Sequence, residues 1–214
     1  MKIGHFDEFK LVTGAMAILA LATSIMVVVP YLLLDKVHPV GTALKPYSMA
    51  ELKGRNEYVS QGCVYCHSQQ PRDPAFNSAD QERGWGRPSV ASDYFYDRPH
   101  LLGTMRTGPD LMNIAVRQPS KDWHLGHLYQ PRAYTPGSNM PAYPFLFEEI
   151  PATEVRKDHV VINLPPDFAV EGTAVVATPR ALDLVAYLLA MDRTYPVIPG
   201  LEGDAMPKKK TVKE

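Results

Sequence analysis

The chain has two cysteines, and both fall in Cys63-Val64-Tyr65-Cys66-His67. Two thiols at that spacing lie on one helical turn, where they can add across the two vinyl groups of a haem as thioethers. The next residue is then placed to offer its imidazole to the iron. Two other chemistries use the same pair of cysteines. A structural zinc site takes four ligands, and the chain has no further cysteine to supply. A redox disulfide of the thioredoxin kind wants a strand before the motif and assigns no role to His67. The pattern therefore points to covalent attachment of a c-type haem.

Met140, in Asn139-Met140-Pro141-Ala142-Tyr143-Pro144, is suited to the other side of such an iron. A thioether is a soft, uncharged ligand that favours ferrous iron and raises the potential relative to two histidines, which serves electron transfer better than oxygen chemistry. The prolines around it hold the loop extended, so the side chain can be aimed without a helix. Composition does not single it out among nine methionines; Met105 and Met112 compete, and core packing is its plainer role. Arg106 opens the turn-forming Arg106-Thr107-Gly108-Pro109-Asp110-Leu111, and its fork of donors suits a buried haem carboxylate. Read alone, the segment is equally a surface turn with a solvated arginine. His124 and His127, three apart after Trp123, can face one way on a helix, yet without nearby carboxylates they make a poor metal site.

The elements that must position these residues are few. Proline is about 9% of the chain against a typical ~5%, and 13 of the 20 prolines lie between Pro71 and Pro166. Such a region wraps a flat apolar disc more readily than it builds a core of its own. Helices flank it. Ser48 and Glu51 form a capping box, and Leu52 and Val59, extended by Met49 and Cys63, predict a buried stripe leading into the cysteine motif. Thr178 as N-cap and Pro179 at the first helical position open a second helix, with Leu184, Val185, Tyr187, Leu188 and Met191 on its apolar side. The two helices, crossing, would seal one edge of a haem pocket. Before the second helix, residues 160–176 are rich in valine and hold Pro165 and Pro166, predicting a small extended excursion or hairpin.

Residues 11–34 carry no charge. As a helix they would measure about 36 Å, enough to cross a ~30 Å hydrocarbon core with some tilt. The run is too long for the apolar part of a secretory signal and lacks a nearby small-x-small cleavage site, so an anchor that stays in the mature protein is expected. Pro30 should bend it. Lys2 and Lys10 before the run balance Lys36 and Lys45 after it, which leaves its orientation undecided. With 22 Lys plus Arg against 23 Asp plus Glu there is no overall field to attract nucleic acid. The expected organisation is mainly α: a transmembrane anchor over 1–35, a linker over 36–47, one domain with long proline-rich loops over 48–195, and a solvated tail over 196–214.

Taken in order, Cys63 to His67 with Ser68 and Gln69, Arg106 to Leu111, Trp123-His124 with His127-Leu128, Pro131-Arg132, and Met140 to Pro144 resemble the mono-haem, membrane-anchored cytochrome c subunit of cbb-type haem-copper oxidases. The resemblance covers the anchor and roughly residues 48–147. It implies a class I-like cytochrome c domain in the periplasm of a bacterium, tethered to the inner membrane by one span. It also implies one haem c on Cys63 and Cys66, His67 and Met140 as axial ligands, a haem-copper catalytic subunit as partner, and a further cytochrome c subunit or soluble cytochrome c as donor. Electron transfer without catalysis of its own follows from two filled axial positions. The cytochrome c subunit of a nitric oxide reductase shares the anchor-plus-haem plan, and a free membrane-tethered cytochrome or a haem sensor are further readings. Phe145 stands where a tryptophan is common, Arg98-Pro99-His100 alters the stretch before Arg106, and the valine-rich segment replaces a more helical one.

Overall fold

The computed structural model describes residues 8–33, 44–76 and 79–197. Helix dominates the regular structure. The first helix, α1 (Glu8–Leu33), is 26 residues long, apolar, and buries none of its side chains, so it is long and apolar enough to cross a membrane. One turn before Pro30 the helix widens into a π turn at Ser24–Val28, where the missing proline N–H disturbs the helical ladder. Leu34, the linker up to residue 43, and the tail beyond residue 197 lie outside the described residues.

Helix α2 (Met49–Ser60) begins at the expected capping box: Ser48 Oγ accepts from the Glu51 N–H at 3.4 Å, and the Glu51 carboxylate accepts from the Ser48 N–H at 2.5 Å. Its inward face differs from expectation. Met49, Leu52 and Val59 are exposed, and the buried residues are Gly54, Arg55 and Tyr58. The reason is Gly54. A Cβ there would overlap the Asp183 carbonyl and lie 2.9 Å from Tyr187 Cβ, so the backbone itself forms the contact with the last helix and turns the i, i+4 pair Gly54 and Tyr58 inward.

Helix α3 (Lys121–Tyr129), capped by Ser120, follows the irregular middle of the chain. Strands β1 (Phe147–Pro151) and β2 (Thr173–Ala177) pair antiparallel with Phe147 opposite Ala177 and Glu149 opposite Val175, and Val161 forms one further bridge to Val176. The expected hairpin is present, but its first leg starts before the valine-rich stretch, while Pro165 and Pro166 lie in the connection, where a missing N–H costs no ladder bond. Helix α4 (Pro179–Leu189) starts at Thr178, whose Oγ1 accepts from the Ala181 N–H at 3.5 Å and donates to the Leu146 carbonyl at 2.7 Å. Leu184, Val185, Tyr187, Leu188 and Met191 are buried as expected. α2 and α4 make the most extensive helix contact, reinforced by the tilted Tyr58–Tyr187 ring pair at 5.5 Å and by Arg180 donating twice, at 2.9 Å, to Glu57.

Candidate functional site

Beside this crossing lies a cleft of about 440 Å³, walled by apolar side chains that include Tyr58, Leu111, Ile114, Leu128, Leu184 and Leu188. Cys63, Cys66, His67 and Met140 all line it. The cysteines enter on a tight 3-10 turn, Cys63–Tyr65, closed by the Cys66 N–H donating to the Cys63 carbonyl at 3.1 Å, which also accepts from the His67 N–H at 3.0 Å. Both thiols are free; Cys66 is exposed, while burial pushes the half-buried Cys63 thiol up to about 11.

The His67 ring is fixed from two directions. Its Nδ1 lies 2.7 Å from the Pro109 carbonyl. A carbonyl only accepts, so Nδ1 carries the proton and Nε2 keeps its lone pair for a metal. Gly108 covers the ring, and a Cβ on it would come within 2.7 Å of Nδ1. The Gly108 N–H in turn donates to the Cys66 carbonyl at 2.9 Å, tying the turn at 106–111 directly to the cysteine motif. Burial holds the imidazole below its ordinary pKa, against the pull of the Pro109 carbonyl and Asp110, which favours the neutral, ligating form.

Of the three methionines, Met112 is buried in the core and Met105 is exposed; neither lines the cleft, whereas Met140 does. Its N–H donates to Ser138 Oγ at 3.2 Å, and the loop is pinned by the Tyr143 N–H donating to the Leu128 carbonyl at 2.9 Å.

Arg106 is placed differently from Met140. It does not line the cleft, and its donors are directed to the protein: Nε to Ser68 Oγ at 3.1 Å, Nη2 to the Gln70 carbonyl at 2.8 Å, and Nη1 to the Asp80 carboxylate, with the guanidinium 5.0 Å from the Trp85 ring centroid. The buried carboxylate of Asp80 holds the guanidinium fork whose expected partner is a haem carboxylate.

Arg117, which no motif marked, lines the cleft instead. Among the described residues its Nε and the Nδ1 of His127 are buried without a hydrogen-bond partner, and both residues are on the cleft wall. The His127 ring stacks on Trp123 at 4.5 Å, and burial, with the neighbouring His124 and His67, pushes its pKa down to about 4. His124 is buried and bonds through Nε2 to the Gln118 carbonyl at 2.8 Å.

These features fit a haem c: two free thiols, a histidine with its tautomer set, a methionine in the same apolar cleft, and a buried guanidinium N–H and imidazole nitrogen on its wall without partners among the described residues. The family model described as "cytochrome C oxidase, mono-heme subunit/FixO" matches residues 6–171, more than half of the chain. Comparison with curated proteins finds no match.

Proposed function

Because the chain belongs to the cytochrome c oxidase mono-haem subunit (FixO) family, we propose that it is the electron-transfer subunit of a membrane-bound respiratory oxidase. It passes electrons through one covalently bound haem c to a haem-copper catalytic subunit. The observation that carries this reading is the His67 ring, held by Pro109 and Gly108, lining the same cleft as Cys63, Cys66 and Met140. The haem supplies the one-electron couple of its iron. The chain would do the rest: Cys63 and Cys66 would hold the ring covalently, and His67 Nε2 and the Met140 sulfur would be the donors to its iron. Arg117 Nε and His127 Nδ1 serve its carboxylates in place of Arg106. With His67 and Met140 both given to the iron, no position would be left for a substrate, and catalysis would belong to the partner. In this reading the domain is class I-like, faces the periplasm of a bacterial inner membrane, is retained there by α1, and receives electrons from a further cytochrome c subunit or a soluble cytochrome c.

The test is spectroscopic. Haem should stay with the chain through denaturing electrophoresis and be lost from a Cys63→Ser, Cys66→Ser double variant. Carbon monoxide added to the reduced full chain should leave its spectrum unchanged. A carbon monoxide complex would instead favour the sensor reading, with an open sixth position.

A further inference from the structure

Between the cysteine motif and the 106–111 turn runs an irregular segment, residues 71–105, of which no described residue lines the cleft. One of its side chains nevertheless reaches the frame behind His67. Asp80 is fully buried; one carboxylate oxygen accepts from the Arg72 N–H at 2.7 Å and the other pairs with Arg106. Arg106 donates to Ser68 Oγ and to the Gln70 carbonyl, which lie one and three residues beyond His67. Ser68 Oγ donates to Asp110 Oδ2 at 2.6 Å, and that same oxygen accepts from the Gln70 N–H at 2.7 Å. The Leu111 N–H closes the frame on the Ser68 carbonyl at 2.8 Å. The residues flanking His67 and those flanking Pro109 are therefore sewn together by one buried cluster.

We propose that Asp80 and Arg106 are positioning residues for His67, holding the Pro109 carbonyl against its Nδ1–H so that the ring keeps its aim and its donor strength toward the iron. This rests on the haem reading given above. The physical link is that a hydrogen bond at Nδ1–H raises the basicity of Nε2, and a stronger axial donor favours ferric iron. Loosening the frame should weaken that bond and raise the reduction potential while the thioethers keep the haem in place.

The Arg55–Asp97 pair supplies the control. It is buried to a similar degree, with Nε 3.1 Å from the carboxylate, and among the described residues it makes no hydrogen bond to residues 67–70 or 106–112. In the full haem-loaded chain in detergent, Asp80→Asn should shift the potential upward and remove the protection of the His67 ring N–H from hydrogen exchange, read by NMR. Asp97→Asn should lower thermal stability without moving either. The proposal is overturned if Asp80→Asn matches the wild type in both readouts, or if Asp97→Asn shifts them as far. Should Asp80→Asn fail to accumulate, Ser68→Ala decides in the same way, since it removes the hydroxyl that joins Arg106 Nε to Asp110 Oδ2. A wild-type chain without a low-spin haem c spectrum would overturn the haem reading, a result distinct from a normal wild type whose Asp80→Asn variant is unchanged.

Discussion

The two sides of the cleft are built differently. His67 is held through its ring by Pro109 and Gly108, and those residues by a buried cluster of Ser68, Asp80, Arg106 and Asp110. Met140 sits on a loop whose described hydrogen bonds are few, the Ser138 N–H to the Thr135 carbonyl, the Met140 N–H to Ser138 Oγ and the Tyr143 N–H to the Leu128 carbonyl, with Phe145 beyond it 56% exposed. One side has its geometry set by two fully buried carboxylates and the largely buried arginine between them. The other relies on prolines to restrict the chain and leaves the side chain room to adjust. A polar frame of the first kind tolerates little, because removing one member strands the others in a medium that cannot solvate them. A loop of the second kind should accept a change of ligand with little loss of fold.

The largest effect is expected at Arg106. Arg106→Ala removes the arginine paired with the buried Asp80 and Asp110 carboxylates, and should cost about 3–5 kcal/mol in thermal or denaturant unfolding. Arg106→Lys should recover only part of this, since an ammonium cannot span Ser68, Gln70 and Asp80 at once. Gly108→Ala should come next: the added methyl collides with the His67 ring, so the haem remains attached but the low-spin absorption spectrum is lost.

On the other side, Met140→His should change stability by about 1 kcal/mol or less and leave the haem attached. It should lower the reduction potential, because imidazole stabilises ferric iron more than a thioether does. Met105→Leu should leave the spectrum as it is, its side chain being exposed and away from the cleft. Should Met140→Leu keep a six-coordinate low-spin spectrum, the contrast between the two sides collapses, because the second ligand would then lie elsewhere.

The smallest effect concerns acid. Burial holds the His124 imidazole below its ordinary value of 6.5, in spite of its bond to the Gln118 carbonyl. An unfolded histidine then takes up a proton at a pH where the folded one does not, so unfolding is favoured as pH falls. The stabilisation is present above about 6.5 and is lost as pH drops through the folded value. Melting temperatures at pH 7 and pH 5 should differ less in His124→Gln than in the wild type.

Several features are legible in the residues alone because their causes are local. The Cys-x-x-Cys-His spacing, the Ser48–Glu51 capping box, the Thr178-Pro179 helix start and the apolar periodicity of Leu184 to Met191 each depend on residues within a few positions of one another. The apolar length of residues 11–33 is a property of that run itself. Other features were decided only by the tertiary structure. Leu52 and Val59 gave a plausible stripe, but the crossing with α4 chose Gly54 and Tyr58, because a helix face is buried only where a partner can approach closely enough. Sequence could not separate Met140 from Met105 and Met112, since all three are flexible thioethers, and the fold alone brought one of them to the cleft. Arg106 looked like an anion-binding residue and is one, but its carboxylate is Asp80, 26 residues earlier. Arg117 took the place on the cleft wall. A charged side chain finds its partner across the folded chain, and the energy that selects it comes from exclusion of water, which no local pattern records.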